Sequence, residues 1–236
     1  MTCVPPTPPD AAAEWRGVTV RYPYRGADAV GPVTFYLGRG ERVLLLGPTG
    51  SGKSTLLNAL TGIVPHVLPA EIEGSVLLDG EAVDARPPSA WSARVARLFQ
   101  DAGQTLCGMR VGDEIAFALE NRALPEAEIG RRVGSAMRKI SLTEEARDRR
   151  TATLSGGEKQ LVALAAALAQ DAPLFLADEP AAHLSPAAAA RFRALLEQPD
   201  GRTFLVIDHR VDEFAGCFDR VAVIGADGRL VAEGDP

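Results

Sequence analysis

A glycine-rich segment with one lysine is the first stretch of this chain whose composition and spacing could do chemistry. It matches the phosphate-binding pattern G-x-x-x-x-G-K-S/T at every fixed position and consists of Gly47, Pro48, Thr49, Gly50, Ser51, Gly52, Lys53 and Ser54. Glycines let the backbone bend closely around a phosphate, and free N–H groups at the start of a following helix attract an anion. We expect Lys53 to reach the β- and γ-phosphates of ATP, Ser54 to bind Mg²⁺, and Thr55 to belong to the same ATP site. A glycine-rich turn that matches by chance is the alternative.

Two acidic residues end an apolar run farther along the chain. The run is Leu174 to Ala177, and Asp178 and Glu179 follow it directly. A carboxylate at the tip of a buried strand can hold Mg²⁺ through its water shell, which is the role we expect for Asp178. Glu179 is placed to polarise an attacking water, a general-base role that contributes roughly 10²–10⁴-fold in rate. A solvated acidic turn is the alternative, and the phosphate-binding segment makes it the weaker one.

A third motif opens an alanine-rich helix with Ser155, Gly156, Gly157 and Glu158. The run from Leu154 to Gln160 resembles the signature sequence of ATP-binding-cassette (ABC) ATPases. That resemblance implies that the signature of one cassette closes over the γ-phosphate held by its partner, so that two ATP molecules lie between two cassettes. The serine and the N–H groups of the helix start would form this second anion site. Helix capping by Ser155 and Glu158 also fits, although it leaves the paired glycines unexplained.

The resemblance to ABC ATPases extends from Trp15 to the end of the chain and implies roles for three more residues. Tyr22 matches the aromatic residue that stacks on adenine; Tyr24 is a substitute, and an ordinary strand tyrosine is the alternative. Gln100 matches the glutamine that contacts Mg²⁺ and senses the transporter partner. His209 matches the histidine that contacts the γ-phosphate. The catalytic set is thereby complete, which implies an active ATPase.

Finer features are similar to one group within the family, the energy-coupling-factor type of importer ATPase, which includes cobalt and nickel ATPases. They lie in five runs: Phe99–Asp101, Gln104–Leu106, Val111–Asn121, Asp208–Glu213 and Gly228–Gly234. In that group, two ATPase domains drive an integral-membrane coupling protein, which engages a substrate-capture protein for a vitamin or metal ion. The similarity implies the same partners here, a position on the cytoplasmic face of the cell membrane, and a second cassette that is identical, paralogous or fused. An ordinary importer or exporter ATPase is the alternative.

Three departures from the family pattern stand out. Ser185 occupies the place of an Asp that helps to couple the two ATP sites, so a hydrogen-bonding group remains but its charge is lost. Leu161 stands where the family commonly has Arg, which removes an ion pair. The chain ends at Pro236 without the extra C-terminal helices of many relatives, so it is either naturally short or one half of a two-cassette chain.

Two other classes are less consistent with the sequence. Cassettes of chromosome structure insert long coiled coils between the phosphate loop and the signature, and no sustained heptads separate Lys53 from Ser155. Translation-type proteins carry two cassettes with a charged linker, which is missing here. A GTPase would need an Asn/Thr-Lys-x-Asp motif to read its base, and the chain has none.

Composition sets further limits. Of the 236 residues, 46% are hydrophobic and 24% charged, as in globular proteins, and a net charge of −6 argues against nucleic acid as a partner. Cys3, Cys107 and Cys217 form no Cys-x-x-Cys pair, which fits a reducing compartment. The longest apolar stretch, Leu161 to Ala169, is less than half of the roughly 20 residues that a spanning helix needs. Four prolines between positions 4 and 10 predict a disordered leader over residues 1–13, without a signal peptide.

The motifs need a scaffold that brings them together. Alternating or continuous apolar runs predict seven strands: Trp15–Tyr22, Val33–Leu37, Val43–Leu46, Val95–Phe99, Leu174–Ala177, Thr203–Ile207 and Arg220–Ile224. Helical spacing predicts helices at Lys53–Leu60, Asp113–Asn121 and Glu126–Ile140, the last two in an inserted helical lobe at about 101–153. We therefore expect one α/β domain over residues 14–236. It has a phosphate-loop NTPase core with a mostly parallel sheet and an N-terminal antiparallel β layer, and its ligand lies at the carboxyl ends of the strands.

Overall fold

The structure is a computed structural model that describes residues 10–23, 26–101, 103, 105–180, 184, 186–198, 200–209, 214 and 216–235. Residues 1–9 of the expected leader lie outside this part of the chain. So do Tyr24, Gln104, Ser185 and residues 210–213, and the interpretations made for them stay predictions. The C-terminal limit of the domain and the limits of its helical lobe also remain predictions.

The described residues form ten strands and six helices, joined in places by short 3₁₀ turns. The strands are β1 (Ala11–Arg21), β2 (Val30–Gly38), β3 (Arg42–Leu46), β4 (Glu71–Leu78), β5 (Glu81–Ala82), β6 (Val95–Leu98), β7 (Leu174–Asp178), β8 (Thr203–Ile207), β9 (Arg220–Ile224) and β10 (Leu230–Gly234). The helices are α1 (Lys53–Leu60), α2 (Ile63–His66), α3 (Val111–Asn121), α4 (Glu126–Lys139), α5 (Gly156–Ala169) and α6 (Pro186–Leu196). None of the helices in these ranges is long and apolar enough to span a membrane.

The N-terminal layer is a four-stranded antiparallel sheet in the order β2-β1-β4-β5. Its first strand begins at Ala11, not at Trp15, so residues 11–13 belong to the sheet and not to the predicted leader. Their small side chains are 1–8% exposed, and Ala11 and Ala13 pair with the end of β2. The apolar pattern of the sequence does not predict β4, because Gly74 and two glutamates, Glu71 and Glu73, interrupt it. The indole N–H of Trp15 donates to the carbonyl oxygen of Leu56 at 3.2 Å and ties this layer to α1.

The central sheet has six strands in the order β10-β9-β3-β8-β7-β6. All neighbouring pairs are parallel except β10 with β9, so the predicted α/β fold with a mostly parallel sheet is confirmed. Register places Leu45 of β3 and Asp178 of β7 on either side of Ile207 in β8. The carboxyl ends of these three strands are therefore level with one another.

Each face of the central sheet packs against its own hydrophobic cluster. Along β3, Leu44 faces the cluster that contains α3, α4 and α5, whereas Val43 and Leu45 face the cluster of α1 and the antiparallel layer. Both faces are apolar because a strand covered on both sides has no solvent-facing positions. The sheet is thus fixed from both sides, and the loops at its carboxyl edge rest on a rigid support.

Candidate nucleotide-binding site

Strand order brings together side chains that are far apart in the sequence. The phosphate loop (residues 47–54) follows β3, and Gln100 lies two residues beyond β6. Asp178 is the last residue of β7 and Glu179 follows it, while His209 lies two residues beyond β8. Because β3, β8, β7 and β6 are neighbours in this order, all of these residues lie at one edge of the sheet. The edge where the sequence predicted a ligand site thus contains every expected catalytic residue.

Two glycines of the phosphate loop sit where no other residue fits. Gly47 has a φ of 151°, and a Cβ added there would lie 2.3 Å from the carbonyl oxygen of Ile224. Gly52 has a φ of 92°, and its Cβ would lie 2.4 Å from the carbonyl oxygen of Ala29. Both positions combine a left-handed backbone with backbone atoms at contact distance. The loop is therefore held between β9 and the start of β2.

The loop and the start of α1 present donors to an anion. Helix α1 begins after Gly52 without a side-chain cap, so the N–H groups of its first turn are open to a ligand. The hydroxyl of Ser51 is buried and has no hydrogen-bond partner in the described ranges. A buried polar atom without a partner is uncommon and calls for a ligand or ion. These features fit the phosphates of a nucleotide.

Lys53 lies over the phosphate loop as the sequence predicts. Its ammonium donates to the carbonyl oxygens of Gly47 at 2.7 Å and Pro48 at 2.9 Å. Burial lowers the pKa of Lys53, and the negative charges of Glu179 and Asp178 oppose that shift. The ammonium is thus held by two neutral acceptors, and the charged oxygens of a phosphate would be stronger partners.

The residues expected to hold Mg²⁺ form an oxygen-rich group. The Ser54 hydroxyl lies near the carboxylate of Asp178, a residue that is 3% exposed, and Gln100 lies at the end of the neighbouring strand. Burial raises the pKa of Asp178, against the opposing effects of Ser54 and of the nearby Arg97. A hydroxyl, a carboxylate and an amide oxygen are ligands that suit the hard Mg²⁺ ion together with phosphate oxygens. The donor set therefore fits this metal.

Glu179 lies between two other residues of the expected catalytic set, Gln100 and His209. Gln100 donates from Nε2 to one carboxylate oxygen of Glu179 at 3.1 Å, and His209 Nε2 lies 3.2 Å from the other. The backbone of Glu179 has a φ of 48°, and its N–H donates to the carbonyl oxygen of Ile207 at 2.7 Å. The carboxylate thus faces the same edge of the sheet as the phosphate loop.

A cleft of about 250 Å³ opens between these groups. It is lined by Tyr22, Ala29, Thr49, Gly50, Gly52, Lys53, Ser54, Thr55, Gln100 and Glu179. The hydroxyl of Tyr22 donates to Oγ1 of Thr55 at 3.4 Å, so the ring forms a wall beside the phosphate loop. That placement suits the base of a nucleotide whose phosphates lie on the loop.

Replacement of Tyr22 by Ala should weaken ATP binding by about tenfold, because the face of a base loses its aromatic partner. Tyr22→Phe should bind ATP like the wild type, since it keeps the ring and loses only the weak contact with Thr55. Isothermal titration with ATP and with inorganic triphosphate separates the two parts of the site. Triphosphate affinity should stay unchanged, and wild-type ATP affinity in Tyr22→Ala would contradict stacking on this ring.

The signature residues lie elsewhere on the molecule. Ser155 caps α5. The backbone N–H and the hydroxyl of Ser155 donate hydrogen bonds to the carboxylate of Glu158 at 2.8 Å and 2.9 Å. The Ser155 N–H, the Arg149 guanidinium and the Ser155 hydroxyl lower the pKa of Glu158 to about 2. The capping box expected from the sequence is therefore present. A Cβ on Gly156 would meet nothing within 4 Å, and no signature residue lines the nucleotide cleft of its own chain.

Arg97 lies beside Asp178 and was not among the site residues expected from the sequence. Its Nη2 is 3.7 Å from Oδ2 of Asp178, and the two side chains are 7% and 5% exposed. Burial lowers the pKa of Arg97 to about 10, against the opposing charge of Asp178, so it remains a cation at neutral pH. The signal in the sequence was a single charge within the apolar run Val95–Phe99. Leu161, by contrast, is packed in the core where the family pattern has Arg.

Comparisons with known proteins agree with this geometry. The sequence model of the family described as "ABC transporter" matches residues 30–182. A putative HMP/thiamine import ATP-binding protein, YkoD of Bacillus subtilis, is 37% identical over 206 residues, which cover 86% of this chain and 38% of YkoD. This chain spans only about two fifths of the length of that protein and of two other curated relatives, at 39% each.

Two solved structures are similar over almost the whole chain. One is cbiO1 of Clostridium perfringens, described as part of the ABC transporter complex cbiONQ; it is 29% identical, with a TM-score of 0.81, and 96% of this chain and 89% of cbiO1 are covered. The other is the ATP-binding cassette MJ0796 in a dimeric post-hydrolysis state bound to ADP and Pi. It is 26% identical, with a TM-score of 0.81, and 94% of this chain and 98% of MJ0796 are covered.

Proposed function

Because this chain belongs to the ABC transporter family, as one of its ATPase cassettes, we propose that it hydrolyses ATP to power a membrane importer. The importer that we propose is of the energy-coupling-factor type, and its cargo is a vitamin or a transition-metal ion. The observation that carries the proposal is the position of Glu179 between Gln100 and His209, opposite the phosphate loop.

In the proposed reaction, the phosphate loop and Lys53 bind the phosphates, and Tyr22 stacks on adenine. Ser54, Asp178 and Gln100 would hold Mg²⁺, which neutralises charge on the β- and γ-phosphate oxygens when it is bound. Glu179 accepts a hydrogen bond from the attacking water and orients it towards the γ-phosphorus.

His209 completes the site from the β8 side. It lies at the carboxyl edge within hydrogen-bond distance of Glu179, and it would contact the γ-phosphate once ATP is bound. Gln100 and His209 both contact Glu179 here, so nucleotide binding would exchange these contacts for contacts to phosphate and metal.

A second cassette completes the proposed enzyme. Ser155, Gly156 and Gly157 form an open helix start that does not line the cleft of the same chain. We propose that they act on the γ-phosphate held by a partner cassette, as the dimeric state described for MJ0796 supports. The partner is a second copy, a paralogue or a fused half, and the greater length of the curated relatives is compatible with fusion.

A groove of about 200 Å³ beside Gln100 is the place we propose for a segment of the membrane coupling protein. It is lined by Thr61, Ile63, Pro88, Trp91, Ser92, Val95, Arg97, Phe99 and Gln170. We call it the partner groove. Its wall includes Phe99, an aromatic residue that is 40% exposed and directly precedes Gln100. The description of cbiO1 as part of a transporter complex supports a membrane partner of this kind.

The membrane assembly can be tested by affinity purification. The tagged chain, extracted from membranes of its own host in mild detergent, should retain a polytopic coupling protein and a small substrate-capture protein. Phe99→Asp should release both, because it places a charge in the partner groove. Val231→Asp, a matched change at an apolar residue of β10 that is 50% exposed, should retain them. Recovery of ribosomes, DNA or an exporter would contradict the proposal.

A further inference from the structure

Arg97 occupies a position in β6 where the sheet favours an apolar side chain. Its neighbours Ala96 and Leu98 belong to the cluster on the α5 side, and Val95 belongs to the cluster on the α1 side. By the two-residue alternation of a strand, Arg97 faces α1 together with Val95. The Arg97 guanidinium is therefore buried between the sheet and α1, next to Asp178.

Hydrogen bonds hold this guanidinium in place, but they do not use all of its N–H donors. Nη1 donates to Oδ1 of Asn58 at 2.6 Å and to Oγ1 of Thr61 at 3.4 Å, both in or next to α1. Nη2 faces Asp178, while the buried Nε has no hydrogen-bond partner among the residues that the structure describes. Apolar residues of similar volume often replace buried ion pairs without loss of stability. Stability alone therefore does not explain a cation at this position.

One guanidinium contacts both the metal-binding carboxylate and the partner groove. Its Cζ lies 4.5 Å from the ring centroid of Phe99, the exposed aromatic residue on the groove wall, and Arg97 itself lines the groove. On its other side, Nη2 is 3.7 Å from Asp178. The Phe99 ring therefore covers one face of the guanidinium that approaches Asp178, so a displacement of the ring would change the environment of this charge.

We infer that Arg97 is a positioning residue that couples occupancy of the partner groove to metal affinity at Asp178. The inference rests on the proposed function, in which Asp178 holds Mg²⁺ and a membrane partner enters the groove. A fixed cation competes electrostatically with a metal ion for the same carboxylate. Arg97 therefore lowers the affinity of the site for the metal. A partner that displaces Phe99 changes the environment of the guanidinium and with it the metal affinity.

Loss of the charge should tighten metal binding. Arg97→Met should bind Mn²⁺, in the presence of saturating ADP, about tenfold more tightly than the wild type, because a charge near a carboxylate changes its ion affinity by about that factor. Free Mn²⁺ is measured by electron paramagnetic resonance. Arg97→Lys, which keeps a cation, should stay within about threefold of the wild type. Unchanged or weaker Mn²⁺ binding in Arg97→Met, or equal tightening in Arg97→Lys, would overturn the inference.

A matched loss of charge controls for long-range effects. Arg86→Met removes a guanidinium that is 55% exposed, pairs with Glu81 and lies over the Trp91 ring, and it should leave Mn²⁺ affinity unchanged. An equal effect of Arg86→Met would assign the change to net charge and overturn the inference. Thermal unfolding of each variant confirms that it folds, and Arg97→Gln replaces Arg97→Met if the latter does not.

A double-mutant cycle tests the connection to the groove. Phe99→Leu should change Mn²⁺ affinity in the wild-type background and should have no effect in the Arg97→Met background, because the ring acts through the guanidinium. If Phe99→Leu changes Mn²⁺ affinity equally in both backgrounds, the ring acts on the metal site through the adjacent Gln100, and the coupling role of Arg97 is wrong.

One further measurement separates this inference from the proposed function. ATP binding to the wild type in excess EDTA depends on the phosphate loop and Lys53 and not on the metal. If no ATP binds, the proposed function fails. If ATP binds normally while Arg97→Met and the wild type bind Mn²⁺ with the same affinity, only the positioning role fails.

Discussion

Glu179→Gln should lower the rate of ATP turnover by about a hundredfold or more while ATP remains bound. The amide is similar in size and can keep a hydrogen bond to Gln100, but it cannot accept a proton from water. General bases contribute roughly 10²–10⁴-fold, and Glu179 is the carboxylate that faces the cleft opposite the phosphate loop. Since ATP then persists, two cassettes should stay closed around it.

Phosphate release and size-exclusion chromatography with ATP and Mg²⁺ measure the two effects together. The variant should elute as a closed dimer with ATP, and the wild type should return to the smaller species as ATP is consumed. Glu120→Gln, at an exposed acid on α3, is the matched control and should behave like the wild type. Undiminished turnover in Glu179→Gln would remove Glu179 from the catalytic role.

Lys53→Ala should weaken ATP binding by roughly 10- to 100-fold and reduce hydrolysis as well. The ammonium is buried over the loop, held by two carbonyl oxygens, and lies near the charges of Asp178 and Glu179. A hydrogen bond to a charged group is worth about 1.5–3 kcal/mol, and each 1.4 kcal/mol corresponds to tenfold in affinity. Its removal also takes away one of the two cations that lie near Asp178 in the described part of the chain, the other being Arg97, and so increases the repulsion between the two acids and phosphate.

Titration calorimetry with ATP and with adenosine locates the effect of Lys53→Ala. Affinity for ATP should fall, and the weak affinity for adenosine should not change, because the nucleoside lacks the phosphates that Lys53 contacts. Lys139→Ala, at the last residue of α4, removes the same charge outside the cleft and serves as the control. An unchanged ATP affinity in Lys53→Ala would count against the phosphate-loop assignment.

Local patterns in the sequence predicted the scaffold of the site well. The bounds of β8 and β9 are those expected from their apolar runs, and β3 and β7 differ by one residue at one end. Such runs are informative because a strand buried on both faces contains apolar residues at every position. The motifs directly follow these strands, so the sequence also places them at the correct edge of the sheet.

Features that depend on strand order could not be read in this way. Gln100 and Glu179 are 79 positions apart, and their contact exists because β6 and β7 are neighbours. Arg97 appeared as an ordinary member of a predicted strand that extended to Phe99. In the structure, β6 ends at Leu98, which leaves Phe99 outside the sheet and half-exposed over the Arg97 guanidinium.

The backbone of Glu179 has a consequence for how this chain responds to selection. A φ of 48° is left-handed, a conformation that glycine and asparagine adopt more readily than glutamate. Such strained positions cost about 1–3 kcal/mol and persist where other demands outweigh stability. Selection for heat-resistant variants would therefore favour replacement of Glu179 by glycine or asparagine and yield proteins that are more stable to heat but inactive. Activity and robustness oppose each other at this residue, so thermal screens need a parallel assay of turnover.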